Sequence, residues 1–252
     1  MVPKLVFIVP YRDREQQLHF FKRHMQYILE DIDPSEYIIL FIHQCDKRSF
    51  NRGALKNIGF ITVRDMYPDH YKTITLVFND IDTMPYTKNF LNYHTLPGRV
   101  KHFYGFTFTL GGIVSITGGD FESINGFPNF WTWGYEDNML NARVLQKRFI
   151  IDRSHFFPIA DKNIIQFHDG YLRNVNRTEF DRYEKNTSEG WSSIQNIKYQ
   201  RVPDNLFKSS HFVNVTNFTT SISENEIQTF QQDLRKGGSP FKSRKMAMRF
   251  GR

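Results

Sequence analysis

Thr73-Ile74-Thr75-Leu76-Val77-Phe78-Asn79-Asp80-Ile81-Asp82 is an apolar, β-branched run that ends in a pair of carboxylates. Residues 73–78 have the length and composition of a strand buried on both faces. Two similar runs precede it, residues 4–9 (KLVFIV) and 37–42 (YIILFI). Between the strands lie segments of helical period. Residues 15–32 place Leu18, Phe21, Met25, Ile28 and Ile32 on one stripe, and Pro34 ends them. Residues 51–66 place Leu55, Ile58 and Ile61 inward behind a capping Asn51. Strand, helix, strand, helix, strand predicts a parallel sheet covered on both faces. Ligands of such sheets bind beyond the carboxyl ends of the strands. The loops 10–14, 43–52 and 79–85 are therefore predicted to converge on one crevice.

The second half is less regular. Residues 110–117 (LGGIVSIT) read as a Gly-led strand and 119–124 as a short helix. Residues 125–135 (NGFPNFWTWGY) form a loop dense in Gly, Pro and aromatics, and 136–147 form a helix opened by two acids, which suits its positive end. Residues 169–190 are polar and bounded by glycine, and are predicted to be mobile. A last strand pair is expected near 197–202 and 211–215. The whole is expected to be one unit over 1–234, with a nucleotide-binding half at 1–85 and an acceptor and lid half at 86–234.

Composition narrows the function classes. The chain of 252 residues is 40% apolar and 23% charged, which excludes wholesale disorder. No apolar run approaches the ~18–20 residues of a membrane helix. A single cysteine, Cys45, excludes an intrachain disulfide and a cysteine zinc knuckle, and fits a reducing compartment. The formal charge is +7, but residues 235–252 hold seven Lys and Arg and no acid, while the other 234 residues balance 26 bases against 26 acids. A nucleic-acid enzyme spreads its bases along a groove. The expected partners therefore include no nucleic acid, and the tail is read as a frayed, basic terminus with at most weak contact with an anionic surface.

Four groups of residues carry chemistry. Asp80 and Asp82, at i and i+2 past a strand, can share a hard divalent cation such as Mn²⁺ or Mg²⁺, although Asp is also common where strands end. His168, after the apolar residues 164–167, can complete a mixed nitrogen and oxygen metal site, although a lone histidine is more often an ordinary core or surface residue. Trp131-Thr132-Trp133-Gly134-Tyr135-Glu136-Asp137 places aromatic faces beside two carboxylates. That pattern suits a sugar, and a carboxylate there can take a proton from an attacking hydroxyl. The plainer reading is an aromatic plug in the core. Arg12 and Arg14 can pair with a diphosphate or sit in a solvated loop.

In this order the segments resemble the β-1,4-galactosyltransferase family of inverting, nucleotide-sugar-dependent enzymes. The resemblance rests on Val9–Arg14 (VPYRDR), Phe50–Gly59 (FNRGALKNIG), Val77–Asp82 (VFNDID), Gly111-Gly112-Ile113, Ile124–Asn129 (INGFPN) and Trp131–Asp137 (WTWGYED), and covers about residues 5–170. It implies an α/β GT-A fold, with a Rossmann-like, mostly parallel central sheet, helices on both faces and a mixed C-terminal part on the acceptor side. It also implies metal-dependent transfer of a hexose from a UDP-sugar to a glycan hydroxyl. Pro10, Tyr11, Arg12, Arg14 and Arg52 would cradle the uridine diphosphate. Asp82 and His168 would hold Mn²⁺ (or Mg²⁺), with Asp80 near the donor. Trp133 and Gly134 would belong to a lid, Glu136 would help bind the sugars, and Asp137 would be the base. The other reading is a carbohydrate-binding or degenerate transferase without turnover.

Three departures from the family pattern stand out. Ile165 and Gln166 occupy positions where a further metal ligand is usual. Thr109 stands where an aromatic crowds the donor's C2 substituent, which implies room for N-acetylgalactosamine as well as galactose. Tyr135 replaces a glycine of the lactose-type enzymes. The chain shows no membrane anchor or stem, which implies a soluble, cytoplasmic microbial or viral enzyme or the excised domain of a Golgi one.

Overall fold

The computed structural model describes residues 1–168, 170–238 and 240–241. Its elements are β1 (Leu5–Tyr11), α1 (Glu15–Ile28), β2 (Tyr37–Gln44), α2 (Arg52–Met66), β3 (Thr75–Asn79), β4 (Thr83–Pro85), β5 (Arg99–Gly105), β6 (Ile113–Thr117), α3 (Gly118–Ser123), α4 (Glu136–Gln146), β7 (Ile150–Asp152), β8 (Phe157–Pro158) and β9 (Ile164–Gln166). They continue with β10 (Leu172–Val175), α5 (Arg177–Glu184), β11 (Gln195–Pro203), β12 (Ser210–Thr219) and β13 (Phe230–Asp233).

Nine strands form one sheet in the order β11-β12-β2-β1-β3-β6-β5-β7, with β8 also on β5. β12, β2, β1 and β3 run parallel, while β6 is antiparallel to both β3 and β5. This is the mixed α/β arrangement the resemblance implies. Alternation along β1 divides the core. Val6 and Ile8 face α2 and its Leu55, Ile58 and Ile61. Leu5, Phe7 and Val9 face α1 and its Leu18, Phe21, Met25 and Ile28. Gly59 lets α2 lie directly on the sheet, since a Cβ there would meet Ile8 Cγ2 at 2.4 Å.

Several expectations shift. α1 ends at Ile28 rather than at 32, because the chain turns at 29–32 and the Leu29 and Ile32 N–H groups close back on the Met25 and Leu29 carbonyls. The sixth strand starts at Ile113 rather than 110, because Gly112 bends the backbone at φ +70°. The stretch 169–190, expected to be mobile, contains β10 and α5. Asn176 caps α5 by accepting from the Glu179 N–H at 2.9 Å, and β10 pairs with β13 from near the end of the chain. Arg235 pairs with Asp233, and Phe241 packs on Phe180 and Phe230. The remainder of the basic tail, with its expected anionic contact, lies outside the described residues. Among the described residues no helix is long and apolar enough to cross a membrane.

Candidate active site

The three loops do converge. Pro10, Arg12 and Arg14 from the first, Phe50 and Arg52 from the second, and Asp80 and Asp82 from the third line one cavity of about 420 Å³. Arg12 donates through Nη1 to the Arg48 carbonyl and through Nε to Asp13 at 3.0 Å. Arg14 Nη1 donates to Asp82 Oδ2 at 2.9 Å. Arg52 Nε lies 3.1 Å from Glu136 Oε1. Three guanidinium groups on one cavity suit an anionic, multidentate ligand such as a diphosphate. Tyr11 is not a lining residue. It is buried, and its ring lies 4.9 Å from that of His43.

The carboxylates at the cavity floor suit a hard cation. Burial and the neighbouring Asp80 push the Asp82 carboxyl above the usual range, against Arg14. Asp80 Oδ1 is buried with no hydrogen-bond partner. A divalent cation would relieve both conditions with oxygen ligands. His168 is exposed, but backbone pairing brings it to the same edge. Thr83 pairs with Gln166, and the Phe167 N–H bonds the Asp82 carbonyl at 2.9 Å, one residue before His168. Among the described residues no three His, Cys, Asp or Glu side chains are placed to hold one metal ion together. Gln166 is engaged elsewhere, accepting from the Tyr104 hydroxyl at 2.7 Å.

Asp137 stands at the start of α4, behind the cavity. Its Oδ1 is 3.1 Å from Lys56 Nζ, and its backbone carbonyl accepts from the Leu110 N–H at 3.1 Å. Gly111 leaves room for its other oxygen, because a Cβ there would come within 2.4 Å of Asp137 Oδ2. Burial raises the Asp137 carboxyl to about 6, against the pull of Lys56. That is the range of a general base working near neutrality. Gly111→Ala is expected to displace this carboxylate from Lys56, with a fall in Tm read by calorimetry.

Why the loop before α4 takes its shape follows from α2. Asn57 Nδ2 donates to the Phe127 carbonyl at 2.7 Å and to Asn129 Oδ1 at 2.8 Å, and its own Oδ1 accepts from the Phe127 N–H at 3.0 Å. Asn51 caps α2 through the Ala54 N–H and donates to the Asn129 carbonyl at 3.1 Å. Trp131, which the plainer sequence reading makes a core plug, is buried and stacks on Phe218 at 5.4 Å. Trp133 instead is 37% exposed and lines the cavity, with its N–H bonded to the Asn174 carbonyl of β10 at 2.8 Å. Gly134 does not line the cavity, but its φ of +98° makes the bend that follows Trp133.

Sequence reasoning missed two groups of residues. On β10, β13 and α5, Arg173 and Gln231 line the cavity and Glu179 holds the Trp loop. Glu179 accepts from the N–H groups of Trp131 (2.5 Å) and Thr132 (2.9 Å) and from the Thr132 hydroxyl. Asn176-x-x-Glu179, a cap followed three residues on by an acid, was the available signal. Glu179→Ala leaves two buried N–H groups bare, at about 1–3 kcal/mol each. A fall in Tm, read by calorimetry, is the expected outcome. The other missed residue is Lys56, four residues after Arg52 and so on the same face of α2.

The sheet, the converging loops and the carboxylate-floored cavity together define the GT-A class of fold. Two family models cover most of the chain: the N-terminal region of glycosyl transferase group 7 matches residues 2–95, and the N-terminal domain of galactosyltransferase matches 99–168. The chain belongs to the β-1,4-galactosyltransferase family. Xylosylprotein 4-beta-galactosyltransferase of Caenorhabditis elegans is 28% identical over 75% of this chain and 65% of its own length. Human beta-1,4-galactosyltransferase 6 is 30% identical over 72% of this chain and 49% of its own. The chain thus spans about half to two thirds of the length of these curated relatives. Among solved structures, the catalytic domain of Drosophila β1,4-galactosyltransferase 7 with xylobiose superposes at a TM-score of 0.71 and 22% identity, over 89% of this chain and 97% of that one. A mutant of the same enzyme, in complex with manganese, UDP-Gal and xylobiose, superposes at 0.68 and 21% identity, with the same coverage.

Proposed function

We propose that this protein is a metal-dependent inverting glycosyltransferase that moves a hexose from a UDP-sugar to a hydroxyl of a glycan acceptor. The observation that carries the reading is the pairing of an arginine-lined cavity with a buried carboxylate beside it. Arg12, Arg14, Arg52 and Asp82 line a cavity suited to a diphosphate, and Asp137 stands behind them as a carboxylate tuned to act as a base. Asp82 and His168 would hold Mn²⁺ or Mg²⁺, which when bound offsets the charge of the diphosphate leaving group. The arginines orient the diphosphate, and Trp133 with β10 and β13 excludes water that would otherwise hydrolyse the donor. Asp137 takes the acceptor's hydroxyl proton, and the oxygen displaces UDP from the opposite face of the anomeric carbon, which inverts that centre.

Galactose is the first donor to test. A Drosophila relative is described in complex with UDP-Gal, and Thr109 argues for trying N-acetylgalactosamine beside it. Nucleotide contacts are assigned mainly to residues 1–85, and acceptor and lid contacts to 86–234. The single cysteine supports a reducing, cytoplasmic setting. A panel of UDP-sugars read by thermal shift with Mn²⁺, followed by acceptor screening with the best donor, tests the proposal. UDP release that depends on an acceptor is the expected result. Donor binding with no release of UDP to any acceptor would mark a carbohydrate-binding protein instead.

A further inference from the structure

The face of α2 toward the site carries two cations one turn apart, Arg52 and Lys56, opposite three carboxylates. Arg52 meets Glu136, and Lys56 meets Asp137 at 3.1 Å and Asp80 at 3.7 Å. Lys56 is a costly residue to place there. Its side chain is 3% exposed, and its ammonium sits 4.7 Å from the centre of the Phe127 ring. A buried ammonium is retained only where charges of opposite sign face it. Asp80 lies on the donor side of the cavity floor and Asp137 on the far side, so one lysine touches both halves of the site.

We propose that Lys56 is a positioning residue of the transfer reaction: it keeps the Asp137 carboxylate ionised and aimed past Gly111, and ties it to Asp80 on the donor side. The inference rests on the reading of Asp137 as the base. Around Asp137 the charged groups are Lys56 and Arg52 from α2, Asp80 after β3 and Glu136 beside it on α4. Lys56 and Arg52 favour its charge, while burial, Glu136 and Asp80 oppose it. Removing Lys56 leaves three carboxylates facing one arginine. The Asp137 proton is then held to higher pH, and less of the base is available at neutrality.

The test compares wild type with Lys56→Met, Lys56→Arg and the double variant Lys56→Met/Asp137→Asn. In Lys56→Met the acid limb of the kcat/KM profile for the acceptor should move up by about 1 to 3 pH units, the range for loss of an adjacent opposite charge. UDP affinity in Mn²⁺ should change little. Lys56→Arg should return the limb toward its original place. A second readout needs no turnover. A carboxyl raised in the folded state stabilises the fold at low pH, and that stability is lost as pH rises through the folded-state value. The fall in Tm should therefore extend to higher pH in Lys56→Met and disappear in the double variant. Folded Lys56→Met whose rate profile and Tm–pH curve both overlay wild type would overturn the proposal. If wild type transfers nothing to any acceptor, the function assigned above falls, and the Tm–pH curves alone decide whether Lys56 sets the charge of Asp137.

Discussion

Asp137→Asn is expected to lower turnover by about 10²- to 10⁴-fold, the usual share of a positioned general base. The amide keeps the shape of the carboxylate and still accepts from Lys56, so the fold and the cavity should survive. UDP binding in Mn²⁺, followed by calorimetry, should be largely unchanged, because Asp137 does not line the cavity that the arginines and Asp82 share. In wild type the activity should also fall with acidity. The proposed base works only when ionised, and its carboxyl is raised to about 6 by burial. The kcat/KM profile should be flat above that value and drop roughly tenfold per pH unit below it. A variant with wild-type turnover would remove Asp137 from the chemistry.

Asp82→Ala should abolish the dependence of UDP affinity on metal. The carboxylate sits at the cavity floor, bonded to Arg14 at 2.9 Å and to the Thr83 hydroxyl at 3.0 Å. Arg12, Arg14 and Arg52 still line the cavity without it, so some UDP affinity should persist in the absence of metal. Titrations of the variant with and without Mn²⁺ should then superimpose, whereas those of wild type should separate. Wild-type titrations that coincide with and without Mn²⁺ would show that the cation has no part in nucleotide binding.

Much of this was legible before any coordinates. The three apolar runs, the two helical stripes and the aspartate pair fixed the order of the N-terminal elements, because each strand there is buried on both faces and its composition says so. The crevice followed from topology alone. The ordering of 169–190 was not legible. The strand at 172–175 is short and polar, and it exists because a partner more than fifty residues later pairs with it. Local pattern carries no record of such a pairing. Lys56 was hidden for a related reason. A lysine in a helix reads as solvated, and only the tertiary placement of Asp80 and Asp137 makes it a buried counter-charge. His168 was legible as a motif, but the backbone bond that carries it to Asp82 was not.

The pairing of β10 with β13 bears on how this protein can be trimmed. The matched family regions stop at residue 168, so a shortened version cut before Phe230 is an obvious choice for expression. Such a cut would strip β10 of its neighbour and leave a row of bare N–H and C=O groups at the mouth of the cleft. Unprotected strand edges recruit strands from other molecules, so the shortened protein should self-associate through the strand that lines its cavity.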